Sequence, residues 1–210
     1  MVAITSHRPM HESAEVAQNQ MRAFKSWLPI FDEIIYFGPK EECLESPKTE
    51  FIECEPFPHI STLAMAASVV EDFVCIINAD IVVGSHLPSL LQRVRSFGGV
   101  AVTSRRWQFN GAGYYNSYLT DWGADFFGAT PDLWRKISQK VPRKYRIGHN
   151  CWDTWVMAFL NATTHGRFFN LTRQKVIFHP IHKERKRIYD MPPEDDNYTR
   201  WHCGFPGRSL

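Results

Sequence analysis

Strands alternating with helices of ten or more residues predict an α/β protein, with a mostly parallel central sheet covered by helices on both faces. Three observations carry this expectation. Short apolar runs stop at polar or Gly-Pro punctuation, as Ile34-Ile35-Tyr36-Phe37 does at Gly38-Pro39. The segments between the runs carry apolar residues at helical spacing. The most apolar run, Phe73 to Val83, is interrupted near its end by Asn78 and Asp80. A polar pair there suits a buried strand whose carboxyl end opens on a ligand crevice, where open α/β sheets hold their sites.

In chain order, Val2 to Ser6 reads as a first strand ending in the polar loop Ser6-His7-Arg8-Pro9. From Glu12 to Trp27, Val16, Met21, Phe24 and Leu28 recur at helical spacing. Ile34–Phe37 is a second strand and Phe51–Cys54 a third. After Pro56 and Pro58, Ser61 is placed to cap a helix running to Val70. The strand with Asn78 and Asp80 follows, then a helix from Leu87 to Phe97 and a strand from Val100 to Thr103. Arg105 to Tyr118 reads as a loop of bases, glycines and aromatics. Asp121 to Gly128 reads as a short strand. Thr130 caps a helix with Pro131 at its first position, running to Ile137. Cys151 to Leu160 is a helix with Asp153 in its first turn. Lys175–Phe178 is a last strand, followed by His179 and Pro180.

With 210 residues, the chain has the length of one domain with a sizeable core. No apolar run approaches the roughly 20 residues needed to cross a bilayer. Val2-Ala3-Ile4-Thr5 has no basic leader ahead of a long apolar core, so a cytoplasmic protein is expected. Cys43, Cys54, Cys75, Cys151 and Cys203 are odd in number and form no C-x-x-C pair, which fits reduced thiols. The sequons at Asn161, Asn170 and Asn197 are then chance occurrences. Charge is polarised: residues 1–80 hold five Lys/Arg against thirteen Asp/Glu, a net −8, and residues 81–210 carry +10. That asymmetry favours an anionic partner for the second half. No G-x-G-x-x-G follows the first strand and no G-x-x-x-x-G-K-[ST] occurs, which disfavours a dinucleotide oxidoreductase or a P-loop NTPase.

An unpaired buried carboxylate is costly, so Asp80 requires a partner or an edge position. On a strand, Asn78 and Asp80 would project from one face and meet one ligand. A carboxylate and an amide oxygen suit a hard divalent cation carrying phosphate oxygens. Asp80 has a duller alternative as a turn cap, and Asp153 as an ordinary first-turn helix carboxylate.

Asn78-Ala79-Asp80, then Gly148-His149-Asn150-Cys151-Trp152-Asp153, then His179 resemble, in that order, the site segments of the GT-A glycosyltransferases, the nucleotide-diphosphosugar transferase fold. Asn78-Ala79-Asp80 looks like the D-x-D metal motif with Asn in place of the first Asp. The resemblance implies a single GT-A domain over residues 1–180, with a nucleotide-binding half at 1–104 and an acceptor half at 105–180, and a basic, then Pro-rich tail at 181–210. It implies a metal-dependent enzyme moving a sugar from a nucleotide diphosphate donor, UDP-linked, to a hydroxyl acceptor. Asp80, His179 and Asn78 would hold Mn²⁺ or Mg²⁺, with imidazole favouring Mn²⁺, and His182 is an alternative to His179. Ser6 and Arg8 would lie near base and ribose, and Lys183 over the diphosphate. Asp153 would be the general base, kept ionised by a helix N-terminus. Asp125 is a competing candidate, placed to bind the donor sugar.

Arg105, Trp107, Tyr114 and Tyr115 interleave bases with aromatics and are the acceptor-binding candidates, since aromatic faces stack on sugars and on nucleobases. Lys183, Arg185, Lys186 and Arg187 close over the diphosphate or grip a polyanionic acceptor: DNA, RNA or a lipid-linked phosphate. A hydroxylated base in nucleic acid is one such acceptor. Two alternatives stand beside this reading. A sugar-phosphate nucleotidyltransferase would need a Gly-rich basic loop after the first strand, unlike Ser6-His7-Arg8-Pro9. A non-catalytic nucleic-acid-binding protein would bind in a salt-sensitive, metal-independent way.

Overall fold

In the computed structural model, which describes residues 1–6, 10, 13–40, 44–109, 117–119, 123–148, 152–181 and 208–209, the chain begins with β1 (Val2–Ser6), buried along its whole length. Ser13 caps α1 (Ala14–Trp27), its hydroxyl accepting from the Val16 amide. The buried face of α1 is Asn19, Gln20, Ala23, Phe24 and Trp27. Met21, expected inside from its spacing, is 39% exposed. The bulk of Trp27 turns the helix: its indole donates to the Ile81 carbonyl and so defines the inward side. β2 (Glu33–Gly38) and β3 (Thr49–Glu53) follow, both parallel to β1 and its neighbour.

The cap of α2 (Ile60–Val69) is His59 rather than Ser61, and no side chain there accepts from the helix. The apolar run then divides into β4 (Val74–Ile77) and β5 (Val82–Val83). Asn78 to Ile81 form the turn between them, closed by the Ile81 amide on the Asn78 carbonyl at 3.1 Å. Asn78 and Asp80 therefore lie beyond the strand, not on one of its faces. The same polar side chains that made the run unusual end the ladder. Ser26 Oγ accepts from the Val83 amide, so α1 also fixes where the chain re-enters a sheet.

Next come α3 (Leu87–Ser96), β6 (Ala101–Thr103) and β7 (Trp107–Phe109), the last inside a stretch expected to be loop. β8 (Tyr118–Leu119), β9 (Phe126–Ala129), α4 (Pro131–Lys140) and α5 (Trp152–Thr163) continue the chain. β10 (Phe168–Asn170), β11 (Ile177–Pro180) and β12 (Arg208–Ser209) complete it. β11 starts two residues later than expected, because Lys175 takes a left-handed backbone conformation after a 3₁₀ turn. His179 is thus within the strand.

The large sheet has the order β12-β10-β6-β9-β4-β1-β2-β3. Every neighbouring pair is parallel except those made by β9, which runs against β4 and β6. Strand alternation sends Val2, Ile4, Val74 and Ile76 to one face, beneath α2, α4 and α5. Ala3, Cys75 and Ile77 point to the other, beneath α1 and α3. A second sheet, β5-β11-β7-β8, leans on that latter side.

Candidate active site

Successive strands are added outward from β1 to β2 and β3, after which the chain returns to place β4 on the other side of β1. The carboxyl ends of β1 and β4 therefore flank a topological switch point, where helices diverge and leave a crevice. Ser6 ends β1 there, buried, with no hydrogen-bond partner for its hydroxyl among the described residues. Thr5 donates to the Ile77 carbonyl at 2.6 Å and ties the two strand ends together.

Asn78 follows β4 directly. Because β9 is antiparallel, its first residues sit beside the last residues of β4, with Phe126 opposite Ile77. Asp125 is thereby delivered to Asn78: the Asn78 amide nitrogen donates to Asp125 Oδ1 at 2.6 Å, and the backbones join at 3.0 Å. β6 is the other neighbour of β9, so the chain leaving it passes the same point. Arg106 donates to Asp125 Oδ2 at 2.5 Å, within a pair that is 11% and 9% exposed. Arg106 is held firmly charged, first by Asp125, with Asp80 and Asp153 adding to the effect.

His179 reaches the site through the second sheet. β11 pairs with β5 so that Phe178 faces Val82, which sets His179 against the turn carrying Asp80. His179 Nε2 lies 3.3 Å from Asp80 Oδ2, both side chains largely buried. Residues 99 positions apart in the sequence, expected to share a ligand, do meet. Among the described residues no three His, Cys, Asp or Glu side chains form a ready-made metal cage. The Asn78 side-chain oxygen, however, is buried without a hydrogen-bond partner among them. A buried amide oxygen with spare lone pairs, two residues from the Asp80 carboxylate, is of the donor type that a divalent cation takes.

Asp153, in the first turn of α5, accepts from the Ala124 amide at 3.1 Å. It is half-buried by exposed area but closely surrounded. Loss of hydration, then the charge of Asp125, pushes its carboxyl above the ordinary carboxylate value. The amides of Ala124 and Thr154 and the charge of Arg106 pull the other way and do not prevail. This reverses the direction expected from the helix N-terminus alone.

The acceptor candidates divide. The Arg105 amide donates to Thr172 Oγ1, and the Trp107 indole donates to the Thr172 carbonyl. Lys175 Nζ covers the Trp107 ring at 4.3 Å from its centroid, so one indole face is already occupied. Arg8, Tyr114, Tyr115, His182 and Lys183 lie outside the described residues. Arg106 was the residue sequence reasoning passed over. Adjacent residues of an extended chain project to opposite sides, so only one of Arg105 and Arg106 can face the carboxylates, and spacing does not say which. A shallow depression of about 380 Å³, lined by Phe73, Arg95 and Arg167, opens at the far end of β4, away from all these groups.

No family model and no curated protein matches the chain. Solved structures do. TarS 1–349 of S. aureus in complex with UDP-GlcNAc superposes with a TM-score of 0.63 at 10% identity, covering 95% of this chain and 64% of that one. A second TarS 1–349 structure gives 0.56 at 12%, over 85% of this chain and 60% of that one. A Bacillus anthracis protein named as a glucose-1-phosphate thymidylyltransferase, in complex with sucrose, gives 0.51 at 8%, over 86% of both. The chain thus spans less than two thirds of the length of the TarS structures. At such identities the likeness is one of fold, and the fold is nucleotide-diphosphosugar transferase-like.

Proposed function

We propose that the protein is a metal-dependent glycosyltransferase that moves a sugar from a nucleotide diphosphate, UDP in the first instance, to a hydroxyl acceptor. The observation that carries this reading is the approach of His179 to Asp80 in the turn after β4, the turn that also carries the unpartnered Asn78 oxygen. The likeness to a structure containing UDP-GlcNAc supports the donor class.

Breaking the bond between the anomeric carbon and the diphosphate leaves negative charge on the departing oxygens, and stabilising that charge lowers the barrier. Asp80, His179 and Asn78 would hold Mn²⁺ or Mg²⁺, which supplies Lewis-acid neutralisation of the diphosphate. Ser6 would face the nucleoside. Asp125 has both oxygens engaged, yet each keeps a second lone pair for a sugar hydroxyl. Asp153 would accept the proton of the attacking hydroxyl. Its raised pKa makes it the stronger base, better matched to neutral pH than an ordinary carboxylate. A base in this position suits inversion at the anomeric carbon.

Titrating UDP into the protein with and without Mn²⁺ tests the reading. UDP binding is expected to tighten with Mn²⁺, and Asp80→Ala to remove that gain while the circular dichroism spectrum stays unchanged. Equal UDP affinity in all three cases would refute the metal site. A second reading, sugar-phosphate nucleotidyltransferase, is favoured by the thymidylyltransferase-like match. It predicts pyrophosphate release from a nucleoside triphosphate plus a sugar 1-phosphate, where the first reading predicts slow release of UDP from a UDP-sugar.

A further inference from the structure

α2 and α4 lie side by side and antiparallel: the Ile60 amide donates to the Tyr145 carbonyl just past α4, and Arg135 reaches the Ser68 carbonyl at the other end. Their outward faces have opposite and unusual compositions. Residues 56–70 contain no Lys, Arg, Asp or Glu. A helix without charges and mostly apolar is normally buried, yet beside the exposed Thr62 its outward face carries Met65, 52% exposed, and Val69, 76% exposed. Residues 133–148 contain six Lys/Arg and no acid, one of the six, Arg135, being paired with Asp132 in the first turn of α4. Lys136 and Lys140, one turn apart on α4, and Arg143 and Lys144, in the turn that follows it, are all exposed and make this side basic next to the apolar one.

We propose that the α2–α4 face docks on the surface of an anionic lipid bilayer, the bases taking headgroup phosphates and Met65 and Val69 entering the interfacial layer. The charge of that basic side demands an anionic partner. The aliphatic side chains beside it select among anions: they gain by burial in acyl boundary and gain nothing against a phosphodiester backbone. Headgroup attraction contributes through each base near the surface and weakens with salt. No helix of the described residues is long and apolar enough to cross a membrane, and the docking proposed is along the bilayer surface. α2 begins at the carboxyl end of the large sheet, where the candidate site lies, so a docked protein holds that edge near the headgroups. The docking does not depend on the assignment of the reaction.

Flotation of the full chain with vesicles of phosphatidylcholine alone, or mixed with phosphatidylglycerol, tests this. Binding is expected only to the mixed vesicles and is lost in high salt. Lys136→Glu/Lys140→Glu and Met65→Asp/Val69→Asp are each expected to lower it about tenfold or more. Should a charge-reversed variant fold poorly, Lys136→Gln/Lys140→Gln serves in its place, with a smaller loss expected. Equal binding to both vesicle types, or wild-type binding by either variant, overturns the proposal. So does binding of single-stranded RNA that is tighter than vesicle binding, sensitive to the lysine pair and indifferent to the Met65/Val69 pair.

Discussion

Asp153 carries the clearest electrostatic conflict in the protein, a carboxylate short of water and facing Asp125 across the site. Because its folded-state pKa is raised, the native state holds more proton than the unfolded chain between the unfolded value and the folded one. Stability contributed at this position is therefore lost as pH rises through that window and is restored below it. Asp153→Asn is expected to raise the melting temperature at pH 7, and the gain should vanish as pH falls below the ordinary Asp range. A variant less stable than the parent at pH 7 would show that the Ala124 and Thr154 amides outweigh desolvation. Arg106 and Asp125 behave differently, since each satisfies the other. Removing one of two buried partners leaves an uncompensated charge, which typically costs about 3–5 kcal/mol.

At the scale of elements, β9 is the strand on which site assembly depends, and Gly128 is why it fits. A Cβ at Gly128 would stand 2.5 Å from the Phe73 ring and 2.8 Å from Val102. Gly128→Ala is expected to destabilise the protein by about 1–3 kcal/mol, read as a lower denaturant midpoint with an unchanged m-value. The long elements were legible in the sequence because their patterns run for enough residues: α3 was foreseen within a residue, and β2 was stopped by its Gly-Pro. The short ones were not. Trp107-Gln108-Phe109 spans too few positions for alternation to be recognised, and β7 exists through β8, itself only two residues long, and β11, far along the chain. The meeting of Asp80 and His179 could be anticipated because a charge interrupting an apolar run and a histidine closing one are visible locally. Arg106 could not, because its meaning comes from the side of the chain on which it emerges.

For the molecule as a whole, the large sheet interleaves the two halves of the sequence. β4 and β6 are separated by β9, which arrives from the later half. A fragment of residues 1–104 would retain β6 with neither of its two partners, β9 and β10. It is expected to show no cooperative thermal transition, whereas the full chain shows one. A sharp transition in the fragment would contradict this dependence.

The reversed direction of β9 has one more outcome. Asp125 is located by ladder register against β4 and β6, not by the path the chain takes on leaving Phe109. Residues could be inserted or deleted between Phe109 and Gly123 over generations without displacing the carboxylate. That stretch could thus change in length while Asp125 keeps its place against Asn78 and Arg106.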